Sequence, residues 1–164
     1  MVDVVAKSGA GLILMHMQGT PKDMQRAPTY RDVVCEVQMF LDERVQVAGE
    51  AGIAADRILL DPGIGFGKNL DHTLTLLARL DEVSLNRPIV IGVSRKAFIG
   101  RVLDRRVDER LMGTAAAVSI AVLKGARVVR VHDVGAMRDV VRMADAIMNY
   151  QQSTTSAQVE QADR

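Results

Sequence analysis

Four short apolar runs, spaced between longer amphipathic stretches, constrain this chain more than any other feature. They are Leu12 to Met17 (LILMHM), Arg57 to Asp61 (RILLD), Pro88 to Val93 (PIVIGV) and Arg127 to Val131 (RVVRV). Each has the length of a strand and is nearly continuous in apolar residues, the pattern of a parallel sheet covered by helices. The intervening stretches carry helical periodicity. In Tyr30 to Glu50, Val33, Val37, Phe40, Leu41, Val45 and Ala48 recur at three- and four-residue steps on one face. Asp71 to Leu80, Asp108 to Lys124 and Asp133 to Tyr150 follow the same logic, and Met1 to Ala10 reads as the tail of an earlier helix. Such alternation specifies an α/β fold with parallel strands.

Local signals punctuate the same scheme. Ser8-Gly9-Ala10, Glu50-Ala51-Gly52 and Lys124-Gly125-Ala126 stand just before strands, where glycine relieves the left-handed strain of a helix end. Asp71 and Asp133 are expected as helix N-caps. Residues 1–150 form one domain, and the polar, aperiodic stretch 151–164 is expected to fray.

Composition narrows the partners. Lys and Arg number 21 against 20 Asp and Glu, a net charge of +1, and aromatic residues make up 3%. Neither a polyelectrolyte patch nor a base-stacking platform is present, which argues against nucleic acid. The single Cys35 cannot close an intrachain disulfide, and with three scattered His it makes no metal site. No apolar run reaches the roughly 18 residues of a membrane span. With no signal-peptide pattern, these features point to the cytoplasm and away from a membrane.

Strand alternation assigns side chains to faces. Ile13, Met15 and Met17 share one face, with Leu14 and His16 opposite; Leu59 goes with Asp61, Gly92 with Ser94 and Lys96, and Val128 with Arg130 and His132. Each run therefore ends at its C-terminal edge in polar or special residues, where parallel α/β folds bind ligands. One Asp, one Lys, one Arg, one His and one Ser there suggest an anionic or heteroaromatic ligand. Asp61-Pro62-Gly63-Ile64-Gly65-Phe66-Gly67-Lys68 fits neither the dinucleotide nor the P-loop glycine pattern. Its glycines indicate a sharp bend or a close approach to a ligand. Asp61 could accept two parallel hydrogen bonds from a guanidine-like edge, or serve as a turn former. Ser94 could hold a carboxylate or phosphate at a helix N-terminus, or simply cap that helix. Lys96 shares its face, whereas Arg95 points away and is expected in a structural ion pair. Arg130 and His132 form a cationic pair suited to a phosphate leaving group. His16 is expected in the core, His72 on the surface, and Met15 in the core or walling an aromatic ligand.

Five segments together resemble dihydropteroate synthase: Leu14 to Gln25 (LMHMQGTPKDMQ), Leu59 to Asn69 (LLDPGIGFGKN), Gly92 to Gly100 (GVSRKAFIG), Glu109 to Thr114 (ERLMGT) and Gly125 to Val134 (GARVVRVHDV). The resemblance implies the C-terminal half of a (β/α)8 TIM-type barrel. It implies condensation of (7,8-dihydropterin-6-yl)methyl diphosphate with 4-aminobenzoate, giving dihydropteroate and diphosphate in folate synthesis, a reaction sulfonamides block. Carried over, Asp61 binds the 2-amino/N3 edge of the pterin and Met15 lines its pocket. Lys96, on the Gly92 face, reaches the pterin carbonyl, and Arg130 with His132 holds the diphosphate. Ser94 holds the aminobenzoate carboxylate, with Phe66 packed on its ring. The catalytic group implied is Lys96, Arg130 and His132. Mg²⁺ is implied as cofactor, with its protein ligand in the family's N-terminal half, and a homodimer is implied as assembly.

The family's Asn-x-Thr-Pro-Asp-Ser-Phe and Asp-x-Gly-Gly-Glu-Ser motifs do not occur in this sequence. Two further readings therefore stand beside the synthase: a non-catalytic pterin-binding fragment or half of a split enzyme, and a pterin-dependent methyltransferase domain. The Ser94-Arg95-Lys96 and Arg130-Val131-His132 segments favour the synthase, because a methyl-donor site needs no diphosphate clamp.

Overall fold

The structure is a computed structural model that describes residues 2–162, with side chains to residue 150. Helix α1 (Val2–Ser8) leads into β1 (Leu12–Met15), α2 (Val33–Glu50), β2 (Ile58–Asp61) and α3 (Leu70–Ala78). Then come β3 (Ile89–Ile91), α4 (Ala97–Leu103), α5 (Leu111–Leu123), β4 (Ala126–Val129) and α6 (Val134–Ala162). Single 3₁₀ turns at Ala55–Arg57, Leu80–Ser84 and Val107–Glu109 join them. All four expected strands are present and parallel, in the order β1-β2-β3-β4. They are shorter than the apolar runs because pairing stops where the chain turns toward the site.

The register places Leu12 opposite Ile58 and Met15 opposite Asp61. A register shift between Ile89 and Val90 skews β4 against β3. Alternation then divides the sheet. Ile58, Leu60, Ile89 and Ile91 are buried with Val34, Val37 and Leu41 of α2, Leu76 of α3, Val118 of α5 and Met137 of α6. On the other face Leu59 and Val90 sit between Ile13, 53% exposed, and Val128, 41% exposed. Among the described residues β1 and β4 each pair on one side only.

Several local expectations change. Helix α3 is capped by Asn69 rather than Asp71: Asn69 Oδ1 accepts from the His72 N–H at 2.8 Å, and His72 Nδ1 accepts from the Asn69 N–H at 3.3 Å. His72 is thus half-buried against Tyr30, with ring centroids 4.8 Å apart, rather than a free surface residue. Asp133 stands before α6 as expected, but its carboxylate goes to Arg95. The backbone of α6 runs to Ala162. Gly52 and Gly125, at φ +83° and +93°, turn the chain back into β2 and β4 as the pattern requires.

Candidate functional site

Asp61 closes β2 and is 6% exposed. Its Oδ1 accepts from the Gly63 N–H at 2.7 Å. Burial pushes the carboxyl up, and the Gly63 N–H with the charges of Lys96, Arg130 and Lys68 pulls against that. Beyond it the glycine run folds back onto the end of β1. Gly63 (φ +67°) lies so close to His16 that a Cβ would strike the His16 carbonyl, and a Cβ on Gly67 (φ +62°) would strike Gln18. The close approach anticipated for these glycines is therefore to the protein's own backbone. The four carbonyls from Ile64 to Gly67 are all held by side chains. Lys96 Nζ donates to Ile64 O and Gln25 Nε2 to Gly65 O. Lys68 Nζ donates to Phe66 O at 3.0 Å, and Tyr30 OH to Gly67 O at 2.7 Å.

Lys96 reaches this loop from the turn between β3 and α4. Its ammonium lies 4.7 Å over the Phe66 ring, and burial lowers its pKa to about 8 despite the attraction of Asp61. Gly92 leaves room for Arg130: an added Cβ would meet Arg130 Nη2 at 3.3 Å. The Arg130 N–H is anchored on Ile91 O at 2.9 Å, and its guanidinium is thereby set beside Lys96 and Asp61.

Ser94 does not cap a helix. Lys96 occupies the N-cap position of the seven-residue α4, while Ser94 Oγ accepts from the His132 N–H at 3.2 Å and lies 2.8 Å from His132 Nδ1. The hydroxyl thus ties the end of β3 to the end of β4. Arg95 turns away as expected, but by a left-handed turn at φ +57° beyond the end of β3 rather than by strand alternation. Its Nε and Nη2 donate to Asp133 at 3.1 and 2.6 Å, its N–H donates to Thr114 Oγ1 at 3.0 Å, and Arg110 Nη1 holds its carbonyl at 3.0 Å. This bidentate pair cross-links the turn after β3 to the turn after β4.

Two openings flank Lys96. One, of about 280 Å³, is lined by Gly92, Ser94, Arg130, Val131 and His132; the other, of about 380 Å³, by Gln25, Phe66, Asn69, Thr73, Phe98 and Arg101 among others. The structure thus gathers Asp61, Gly92, Ser94, Lys96, Arg130 and His132 at one sheet edge, with Phe66 over Lys96 and Met15 beside Asp61 in the register.

Lys68, Gln25 and Tyr30 are part of this arrangement although no strand parity points to them. Lys68 is 3% exposed, with its ammonium 2.8 Å from His16 Nδ1. A lysine closing a glycine-rich turn was the available signal. Burial lowers its pKa to about 7 and, with the Lys68 charge, that of His16 to about 4. His16 itself is a core residue as expected, 5% exposed and edge-on to Phe40 of α2 at 4.9 Å.

The described residues do not fit a resident magnesium ion. Asp61 is ringed by cations and Asp133 is taken by Arg95, and no cluster of three or more His, Cys, Asp or Glu is found among the described residues. No helix among them is long and apolar enough to cross a membrane.

Residues 1–132 match the family model described as "Pterin binding enzyme". The dihydropteroate synthase of Escherichia coli K12 is 45% identical over 149 residues, 90% of this chain and 53% of that protein. The folate synthesis bifunctional protein of Arabidopsis thaliana is 39% identical over 161 residues, 90% of this chain and 33% of that protein. A Yersinia pestis dihydropteroate synthase solved with a sulfonamide drug complex superposes with a TM-score of 0.89 at 39% identity, covering 91% of this chain and 55% of that one. A Thermus thermophilus dihydropteroate synthase in complex with 4-aminobenzoate gives 0.84 at 41% identity, covering 90% and 60%. The chain spans about half the length of the bacterial relatives it matches. A matched family model over most of the chain, and four parallel strands superposing on part of the synthase fold, establish that this chain belongs to the pterin-binding enzyme family.

Proposed function

We propose that this chain carries the pterin and diphosphate side of a dihydropteroate synthase site, with residues 1–150 as the ligand-binding unit. The observation that carries this reading is the buried Asp61 with Lys96 and Arg130 around it, next to an opening lined by Arg130 and His132. A carboxylate in that setting accepts from the 2-amino and N3 donors of a pterin, and the surplus positive charge suits a diphosphate. Met15 walls the pterin and Lys96 donates to its carbonyl. Arg130 and His132 hold the diphosphate, with Ser94 orienting the imidazole of His132. Phe66 packs on the ring of 4-aminobenzoate, and the Ser94 hydroxyl lies within reach of its carboxylate.

In this reaction the bond between the pterin methylene and the diphosphate oxygen breaks, and its electron pair leaves with the diphosphate. The arylamine nitrogen attacks the methylene and then gives up a proton. The positive charge of Arg130 and hydrogen bonding from His132 stabilise the departing anion, and Lys96 with Asp61 keeps the ring fixed while charge develops on the methylene. Magnesium accompanies the diphosphate by family resemblance. No step depends on a ligand set for it in this chain. The reading also assigns a cytoplasmic location, and a homodimer as assembly. The homodimer is supported by an apolar groove of about 540 Å³ between α3, α4 and α5, which includes Val102, Leu103, Met112 and Ile120.

The test is turnover of dihydropterin methyl diphosphate and 4-aminobenzoate by the purified chain with Mg²⁺, repeated with Lys96→Ala and Asp61→Asn. Turnover abolished by both supports the reading; pterin binding without turnover supports the second one, a pterin-binding half that needs further strands. The exposed Ile13 and Val128 on the inner sheet face favour that second reading, because added strands would cover them. Co-expression with a complementary N-terminal half separates the two.

A further inference from the structure

We infer that Lys68 and His16 form a buried latch that sets the position of Phe66, making Lys68 a positioning residue of the site. The Lys68 ammonium faces His16 Nδ1 at 2.8 Å and Phe66 O at 3.0 Å, so one group joins the end of β1 to the backbone that carries the Phe66 ring. His16 is in turn wedged edge-on to Phe40 at 4.9 Å, which fixes the latch to α2. The lysine is enclosed by the fold. It is 3% exposed, and Gly63 is pressed so close that its Cβ position lies 3.6 Å from Lys68 Nζ. Burying an ammonium is costly unless its protons are hydrogen-bonded, and two of them are directed at His16 and Phe66 O.

The groups around it are few. His16 faces it from the end of β1 and Asp61 from the end of β2, while Lys96 acts on it from the turn before α4. Tyr30, ahead of α2, lies with its ring 5.9 Å from the ammonium, and burial raises its phenol to about 12, outside the range considered below. His72 of α3 is held by Asn69 and lies edge-on to Tyr30 at 4.8 Å. With His16 lowered to about 4 and Lys68 to about 7, the proton exchanged near neutrality at this pair belongs to Lys68. Deprotonation leaves an amine with fewer protons to share between His16 and Phe66 O, and the loop loosens. The effect on arylamine binding rests on the proposed role of Phe66; the latch itself does not.

Fluorine NMR of the whole chain labelled with 4-fluorophenylalanine tests the latch without any ligand. Phe40 senses Lys68 through His16, and Phe66 senses it through its own carbonyl. Lys96, 4.7 Å over the Phe66 ring, acts on Phe66, whereas Phe40 meets the latch through the His16 ring. The Phe40 and Phe66 signals are expected to move together with a midpoint at about pH 7, and Phe66 alone to move again at about pH 8. Lys68→Met removes the shared step and leaves the upper one. Lys68→Arg, which keeps the charge but cannot shed it, also flattens Phe40 and serves if the methionine variant does not fold. A flat Phe40 signal in the wild type, or a Phe40 step that survives either substitution, overturns the latch. In the same samples, 4-aminobenzoate affinity is expected to fall on the order of tenfold in Lys68→Met, with pterin affinity within about threefold of wild type. An equal loss of both ligands overturns Phe66 as the target. Absence of pterin binding in the wild type, with the shared NMR step intact, rejects the proposed function and leaves the latch standing.

Discussion

Asp61 and Lys96 show how one residue type can be tuned by its neighbours rather than by its own chemistry. Both lose water on folding, yet each is the other's principal counter-charge. Asp61→Asn replaces a charged acceptor and is expected to weaken pterin binding by about 10- to 100-fold in a fluorescence titration, the range of a charge-assisted hydrogen bond. The depressed Lys68 makes a prediction of opposite character, about stability. Its pKa falls from 10.5 to about 7 on folding, so between those values the unfolded chain binds more protons than the folded one. Stability is therefore expected to rise as pH rises through that window. Urea midpoints at about pH 7 and about pH 9.5 should show the gain, and Lys68→Met should lose most of it. Asp61, Lys96, Arg130 and His132 were legible from strand parity. Lys68 was not, because its function depends on a partner 52 residues away.

At the scale of the element, the loop from Gly63 to Gly67 is what the site depends on. Its conformation is over-determined by Gln25 and Tyr30 from the β1–α2 connection, Lys96 from the turn after β3, and Lys68 at its own end. Gly63→Ala meets both a positive φ and the His16 backbone, whereas Gly52→Ala, at φ +83°, has open space around it. Denaturant unfolding is expected to show a loss of about 1 kcal/mol for Gly52→Ala and a clearly larger one for Gly63→Ala, with pterin binding lost only in the latter. Asn69→Ala removes a capping oxygen from α3 and should cost about 1 kcal/mol by the same measurement. The glycine spacing announced an unusual backbone. Whether it bent toward a ligand or toward β1 was settled by which neighbours the parallel register supplied.

Among the described residues, two apolar surfaces have different origins. The inner sheet face is uncovered where β1 and β4 have no outer neighbour among the described residues. The outer groove is a seam between helices: α5 buries Thr114, Ala117, Val118 and Ala121 against its own sheet and turns Met112, 76% exposed, and Ile120 outward. The small residues of α5 serve both surfaces: Ala117 and Ala121 are buried, Gly113 is pressed beneath Ile99 and Leu103, and the exposed Ala116 lines the groove. If two copies pair through this groove, Ile120→Asp should convert a dimer to a monomer in light scattering while far-ultraviolet circular dichroism stays unchanged. A dimer that persists places the contact elsewhere, with the inner sheet face the next candidate.

The sequence by itself determined the parallel α/β order, the four strands and the face to which Asp61, Arg130 and His132 belong at the strand ends. Those follow from periods of 2 and 3.6 residues, which are local properties of the backbone. Alternation also anticipated that Arg95 would leave the site, although the orientation is set by a left-handed turn past β3 and the pair with Asp133. Only the tertiary structure decided that Ser94 would bind His132 instead of capping a helix, that Asp133 would serve Arg95, and that Lys68 would be buried against His16. Each of those joins residues far apart in the chain, and a polar side chain takes whichever partner the packed sheet brings within about 3 Å.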